Sequence, residues 1–287
     1  MKKLIYSIIL LIVGFTTTNA QNAETIYNDY RSELLGTPKE NINDVIVTTA
    51  KYFLESPYVA HTLDSNSVEQ LVVNLDRFDC LTFVEAVLAL SIDYMSDNPS
   101  FSNFKSTLQK IRYRGGDING FTSRLHYTSD WIYDNVQKGI VTDRTKGLGG
   151  IPFRPIINFM STHQQNYTQL KDNKQAVDSM RTIEKQINLR KAMNYIPKAR
   201  VSAVAKNINS GDLIMITTSI AGLDYAHVGF ALKENGVLKF IHASSDKQKI
   251  VVTSGTLAQY LLNVKNFTGI SVLKGNVVKV LGEKSLR

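Results

Sequence analysis

One cysteine, Cys80, and five histidines, at 61, 126, 163, 227 and 242, carry the nucleophilic and near-neutral acid–base chemistry open to this chain. Two of the histidines flank Glu234-Asn235-Gly236-Val237, and Asn-Gly is the strongest short hairpin signal. With Asn235 and Gly236 as a two-residue turn, facing residues have numbers summing to 471, so Gly229 faces His242 and His227 faces Ser244. His227 and His242 then share one face as diagonal neighbours, roughly 7–8 Å apart at the backbone. Gly229 leaves room between them. That arrangement suits a base, His227, held in one tautomer by an orienting partner, His242. A slip of one residue would send the rings to opposite faces.

Cys80 is the nucleophile such a base would serve. An exported chain normally pairs its cysteines, and a single one has no intramolecular partner. The bland alternative is a buried thiol acting as a small hydrophobe. Cys80 follows Asp79, a good N-cap, and opens a run in which Glu85 is the only charge before Asp93. Leu81, Phe83, Val84, Ala86, Val87, Leu88, Ala89, Leu90 and Ile92 make that helix apolar on nearly every side, so it should be central and buried. The unpaired N–H groups and partial positive charge of a helix start favour thiolate and could hold an oxyanion. Metal binding is the rival use of paired histidines. No HExxH or Cys-x-x-Cys spacing occurs, which leaves two histidines with a distant carboxylate as the zinc alternative and no metal as the expectation.

The elements that must position these groups change character along the chain. Residues 23–53 read as helix with a break near Gly36-Thr37-Pro38, and 56–78 as loop with a short helix. Residues 97–200 are mixed, with Gly-rich loops at 114–117 and 147–150 and a helix expected from Ser161 to Arg190. Short β-branched runs then follow at 212–216, 227–232, 238–243, 250–253 and 269–273, a meander of antiparallel strands. Helices first and strands afterwards predict an α+β fold. The reading is a leader at 1–20 and one catalytic domain over 21–287, with an inserted segment at about 97–200.

The leader has a positive start at Lys2 and Lys3, an apolar core from Leu4 to Phe15 and a small-residue cleavage site at Thr18-Asn19-Ala20. Its apolar run is too short for a convincing transmembrane helix, so export with cleavage near Ala20 and no stable membrane insertion is expected. The net charge of +8 becomes +6 without the two leader lysines, a mild excess that fits an anionic wall polymer. Nucleic acid is a poor partner, because the basic residues are scattered and no binding motif appears.

RFDCLTFVEA (77–86), SGDLI (210–214), AHVGFAL (226–232) and FIHASS (240–245), in that order, resemble the NlpC-type cell-wall cysteine peptidases, a compact papain-like superfamily. Ser56-Pro57-Tyr58 is similar to the Pro-Tyr element upstream of the family's nucleophile. The resemblance implies Cys80 as nucleophile, His227 as base, His242 as orienting residue, the Tyr58 hydroxyl beside the thiol, and no cofactor. Its implied fold is a buried nucleophile helix on an antiparallel sheet, enlarged by a helical and loop insertion. Leu81 and Thr82 depart from the common Ser-Gly, the Tyr58–Cys80 gap is long, and His61 stands where glycine is common. Those departures are shared with the N-acetylmuramoyl-L-alanine amidase-like branch of Gram-negative bacteria. Similarity to that branch includes GFTSRLHYTSDWI (120–132), INFMSTH (157–163), Tyr195-Ile196-Pro197-Lys198 and GLDYAHVGF (222–230).

The branch implies a periplasmic enzyme acting on peptidoglycan or its muropeptide fragments, at the amide joining the lactyl group of N-acetylmuramic acid to L-alanine. The commoner superfamily target, the γ-D-glutamyl-diaminopimelate bond, is the enzymatic alternative. A non-catalytic muropeptide-binding protein is the alternative from another class. Arg124, His126, Tyr127 and Trp131 combine charge, hydrogen bonding and flat apolar area, as a carboxylate and sugar site needs. The competing reading makes Tyr127 and Trp131, four apart, a core-facing stripe. Asp79 is expected to be a cap, His163 structural, and His61 near the site entrance.

Overall fold

A computed structural model describes residues 19–64 and 68–277, so nearly all of the expected leader lies outside the described residues. Nine helices are described: α1 (Asn19–Glu33), α2 (Ile42–Tyr52), α3 (Cys80–Met95), α4 (Phe101–Arg112), α5 (Thr128–Gln137), α6 (Phe159–Thr162), α7 (Lys174–Leu189), α8 (Val201–Val204) and α9 (Leu257–Asn263). The strands are β1 (Val141–Asp143), β2 (Ile151–Phe153), β3 (Met193–Pro197), β4 (Leu213–Thr218), β5 (Tyr225–Glu234), β6 (Val237–Ser244), β7 (Lys249–Val252) and β8 (Phe267–Gly275). The protein is α+β, with one antiparallel sheet in the order β2-β3-β8-β4-β5-β6-β7 and β1 beside β8. No helix among the described residues is long and apolar enough to cross a membrane.

Only β4 to β7 form a meander. The last strand does not follow β7 but crosses through α9 to the far edge of β4, where Leu213 faces Leu273 and Ile216 faces Ile270. β1, β2 and β3 come from the 97–200 segment, so that segment is built into the sheet. The helix expected over 161–190 is broken: α6 ends at Thr162, a turn carries Asp172 at φ 57°, and the Asn173 side chain caps a new start at α7. The described part of 56–78 contains no helix. Pro57 bridges to Lys249 and Tyr58 to Phe78 instead, tying this loop to the β7 edge and to the residue just ahead of Asp79.

The two faces of the sheet bury different layers. Leu213, Met215, Phe230 and Ile241 pack on one side in a core with α3. Ile214, Ile216, Ala231, Phe240 and Ile270 pack on the other with α8 and α9. α3 is the centre of the first layer. Phe83, Val84, Val87, Leu88, Ala89 and Leu90 are fully buried, each large one worth roughly 1.5–3 kcal/mol relative to exposure. Asp79 starts α3 with a capping box, accepting the Thr82 N–H at 2.8 Å while the Thr82 hydroxyl accepts the Asp79 N–H at 2.9 Å. The packing fixes the axis of α3 and the cap fixes where it begins. Together they place the first residue, Cys80.

Candidate active site

Cys80 stands at the first position of α3, half-buried. Of the four N–H groups a helix start leaves open, Asp79 gives its own to the Thr82 hydroxyl and Thr82 to the Asp79 carboxylate, while Phe83 makes the first internal bond, to the Asp79 carbonyl. The Cys80 and Leu81 N–H groups turn to the sulfur. A third donor arrives from the sheet. Ala231 directs its N–H toward Asp212, on the β4 side, so strand alternation turns the Val228 N–H toward β6. The β5–β6 ladder stops at Phe230–Ile241, and the Val228 N–H goes to the thiol. Cys80 therefore inserts where β6 peels from β5, one residue from His227.

Those three donors pull the thiol toward ionisation, as the helix start predicts. Burial outweighs them: with the Asp79 carboxylate adding to it, the Cys80 thiol is pushed up to about 12. This overturns the expectation of a lowered thiol. A helix terminus is a local feature, but the apolar surroundings that raise the thiol come from elements far away in sequence.

The hairpin has the predicted register, from Glu234–Val237 to Phe230–Ile241, with Asn235 at φ 51° and Gly236 at φ 80° in the turn. The facing pairs Gly229–His242 and His227–Ser244 lie beyond the ladder. Even so, the rings meet on one face, Nε2 of His227 sharing a 2.7 Å hydrogen bond with Nδ1 of His242 at an interplanar angle of 89°. Phe240 lies parallel to His242 at 4.8 Å, with Tyr260 5.1 Å from His242 and Phe267 6.5 Å from His227. This aromatic sleeve pushes His227 down to about 3, the neighbouring His242 adding to burial, and burial lowers His242 to about 4. Both rings are neutral near pH 7. When His227 Nε2–H donates to His242, Nδ1 of His227 carries the lone pair that a base needs. Among the described residues, no set of three or more His, Cys, Asp or Glu forms a metal-ligand group.

The family described as N-acetylmuramoyl-L-alanine amidase-like matches residues 48–270, which span Cys80 and both histidines. The chain belongs to that family. Its structure is similar to that of an N-acetylmuramoyl-L-alanine amidase from Bacteroides uniformis, at 40% identity and TM-score 0.78 over 82% of this chain and 99% of that one. A Bacteroides fragilis protein named as a xylanase is similar at 37% identity and TM-score 0.75, over 79% of this chain and 99% of that one. A Legionella pneumophila protein shares the fold at 23% identity and TM-score 0.71, covering 90% of this chain and 95% of that one. No curated protein matches the chain.

Around this amidase-like centre, the other residues singled out in the sequence divide. Tyr58 comes to the thiol: burial, then Cys80 and Asp79, raise its phenol above the ordinary value. The other four are committed elsewhere. Arg124 is buried, donating to Glu69 at 2.8 and 3.0 Å and to Asp64 at 3.1 Å. His126 packs on Phe121 at 4.2 Å, shares a 2.8 Å hydrogen bond with its carbonyl, and is held at about 3 by burial and by Arg124. Tyr127 donates to Glu184 at 2.8 Å and accepts the Met160 N–H, all within the core beneath α7. Trp131 is fully buried, its Nε1 toward Glu85 without an ordinary hydrogen bond. The polar groups of Arg124, His126 and Tyr127 serve internal partners and Trp131 is sealed in the core, so the core-stripe alternative describes Tyr127 and Trp131. Asp79 is the expected cap. His61 is exposed and 3.2 Å from Asp64.

Sequence reasoning missed the sleeve of Phe240, Tyr260 and Phe267 and misread Gly229. A Cβ at Gly229 would lie 2.4 Å from the Ile241 carbonyl oxygen and 2.8 Å from the Phe240 ring, so the glycine admits Phe240 and does not simply separate the histidines. Gly229→Ala is expected to destabilise the fold by about 1–3 kcal/mol, since backbone must move. It should also lower kcat, because displacing Phe240 displaces the ring stacked on it, His242. Thermal melting and steady-state rates check both effects. A stable, fully active variant would refute the coupling.

Proposed function

We propose that this protein is an exported cysteine amidase of the NlpC-type, papain-like superfamily. It hydrolyses the amide between the lactyl group of N-acetylmuramic acid and L-alanine, in peptidoglycan or in muropeptides released from it. The observation that carries this reading is the meeting of the Cys80 sulfur with the Val228 N–H, beside a His227 whose ring is hydrogen-bonded to His242. Family membership supplies the bond, and the amidase name of the Bacteroides uniformis protein agrees with it. The leader composition supports the exported, periplasmic setting.

In the mechanism, Sγ of Cys80 attacks the lactyl carbonyl while Nδ1 of His227 takes the thiol proton. The oxyanion forms at the Cys80 and Leu81 N–H groups. His242 stabilises the imidazolium. The C–N bond then breaks, His227 returns its proton to the departing alanine nitrogen, and water, with His227 as base, releases the thioester. Both residues start neutral, so proton transfer accompanies attack.

A glycosidase reading, prompted by the xylanase name of one similar structure, needs two carboxylates across a groove. Asp79, next to the thiol, is spent on the cap and gives no such pair. Mass spectrometry of products from N-acetylmuramoyl-L-alanyl-γ-D-glutamyl-diaminopimelate decides the bond. Free peptide with an L-alanine amino terminus is expected. Release of L-alanyl-γ-D-glutamate or its muramoyl form would identify an endopeptidase instead, and binding without product a non-catalytic protein.

A further inference from the structure

Strands β2 and β3, with α5 and the end of α7, border a cleft of about 220 Å³ that the mechanism does not use. Its lining contains none of Tyr58, Cys80, His227 and His242. β8 and β4 stand between β3 and the strand of His227, so three strand spacings, roughly 14 Å of sheet, separate the two places. Tyr225 reaches from β5 to the cleft wall, its hydroxyl sharing a 2.8 Å hydrogen bond with Ser271 and its ring edge-on to Phe153 at 5.7 Å.

Apolar walls and unpaired positive charge meet in this cleft. Ile132, Val136, Phe153, Ile187 and Met193 supply the walls, and Tyr133 adds a flat face on which Arg190 lies at 4.0 Å. Arg190 pairs through Nη2 with Asp130 at 2.7 Å, while its Nη1 meets no acceptor among the described residues. Arg154 and Lys191 also line the cleft, are exposed, and make no hydrogen bond or ion pair among the described residues. Ile157 and Asn188 exchange two 2.9 Å hydrogen bonds across the rim, and their neighbours Ile156 and Leu189 are 74% and 77% exposed.

We propose that this cleft is a second ligand site, binding a small monocarboxylic acid with its carboxylate on Arg154 and Lys191 and its apolar body against the walls. Size sets the body. A cavity of about 150 Å³ holds benzene, so this one takes a body of about six carbons. Charge sets the head. Asp130 answers Arg190, and Asp143 also lines the cleft, so the remaining excess suits one negative charge and opposes a phosphate dianion or a peptide with several carboxylates. The site is also preformed. β2–β3 pairing holds Phe153 opposite Met193, the Ile157–Asn188 bonds join the other two walls, and the Ser271 hydroxyl donates to the Asn194 carbonyl at 2.8 Å. Binding therefore costs little reordering.

Equilibrium dialysis of labelled hexanoate against the full-length protein tests the site. One saturable site with a Kd on the order of 1 mM is expected, about tenfold or more tighter than for acetate, which lacks the body, or hexan-1-ol, which lacks the charge. Arg154→Gln with Lys191→Gln, both at exposed positions, should weaken hexanoate about tenfold at an unchanged thermal midpoint. Ala192→Phe, which fills the cleft, should abolish binding; if it does not fold, the charge variant carries the test. Absence of saturable binding, equal binding of the alcohol, tighter binding of hexyl phosphate, or a charge variant with wild-type affinity overturns the proposal. Cys80→Ala should bind hexanoate as wild type does, and muramyl dipeptide should leave it in place. Displacement by muramyl dipeptide would make the cleft part of the substrate groove and overturn a separate site. Hexanoate binding by a protein that cleaves no muropeptide would uphold the site while sinking the amidase reading.

Discussion

Cys80→Ala is expected to remove amidase turnover while leaving the fold intact, lowering kcat by on the order of 10⁴–10⁶, the loss seen when a nucleophile that works as a unit with its base is deleted. The sulfur caps no helix and lies at the margin of the main core, packed against it but only half-buried. Its three N–H contacts are to groups that solvent or substrate oxygen can serve, so the thermal midpoint should change little. His227→Ala should produce a similar loss and His242→Ala a smaller one, as its part is to hold a ring. A Cys80→Ala protein that kept more than a few per cent of wild-type turnover would place the reaction elsewhere in the molecule.

The pH dependence follows from the same burial. His227 lies far below its ordinary value, so it is unprotonated at every pH well above about 3. The thiol keeps its proton up to about 12. The reactive pairing of thiol and neutral imidazole thus spans the neutral range, and kcat/KM should be flat from about pH 5 to 9, with no limb near the ordinary histidine value of about 6.5. Alkylation of free protein by iodoacetamide should be slow at pH 7 and rise with pH. Rapid alkylation independent of pH between 5 and 8 would instead show a preformed thiolate–imidazolium pair. Stability has the opposite-facing consequence. Between about pH 3 and 6.5 the unfolded chain binds protons at His126, His227 and His242 that the folded chain refuses, so stability falls as pH drops through that window.

How much of this was readable in the sequence depended on the range of the forces involved. The start of α3 and the β5–β6 turn are local. Asp79 and Thr82 cap within three residues, and Asn235-Gly236 supplies the left-handed backbone that the hairpin turn requires. Both were legible, and with them the register that brings the histidines to one face. The sleeve was not, because Tyr260 meets His242 only after α9 folds back across β6. The polar run at 124–131 was misleading for the same reason. Arg124 finds Glu69 at a separation of 55 residues and Tyr127 finds Glu184 at 57, so side chains that look available in the sequence are satisfied by distant partners. The short strands β1 to β3 lack a full alternation, and β2 and β3 each contain a proline. They are held by pairing at the sheet's edge and by β8, which no local pattern announces.

One of those distant partnerships supports α3 from below, and breaking it is expected to have the largest effect on stability. Arg112, at the end of α4, donates from Nε to Glu85 on α3 at 2.6 Å and from Nη1 to the Val72 carbonyl at 2.6 Å. Their side chains are only 4% and 1% exposed. Burial holds Glu85 above its ordinary value, and the Arg112 guanidinium opposes that shift by favouring the carboxylate in an apolar layer. Arg112→Met should cost about 3–5 kcal/mol, as it leaves Glu85 buried without a counter-charge and the Val72 carbonyl without its donor. At roughly 2–4 °C per kcal/mol for a chain of this size, the thermal midpoint should fall by about 10 °C. The sign of the pH dependence separates this from a simple packing defect. Glu85 without Arg112 has a folded pKa raised above its unfolded value, so the folded variant binds the extra proton and the stability gap to wild type narrows as pH falls from 7 to 5. The double variant Arg112→Met with Glu85→Met should recover most of the loss, since a well-packed apolar pair can replace a buried ion pair. A gap that stays constant with pH, or a double variant no better than the single, would mean that α3 is held in place by packing alone.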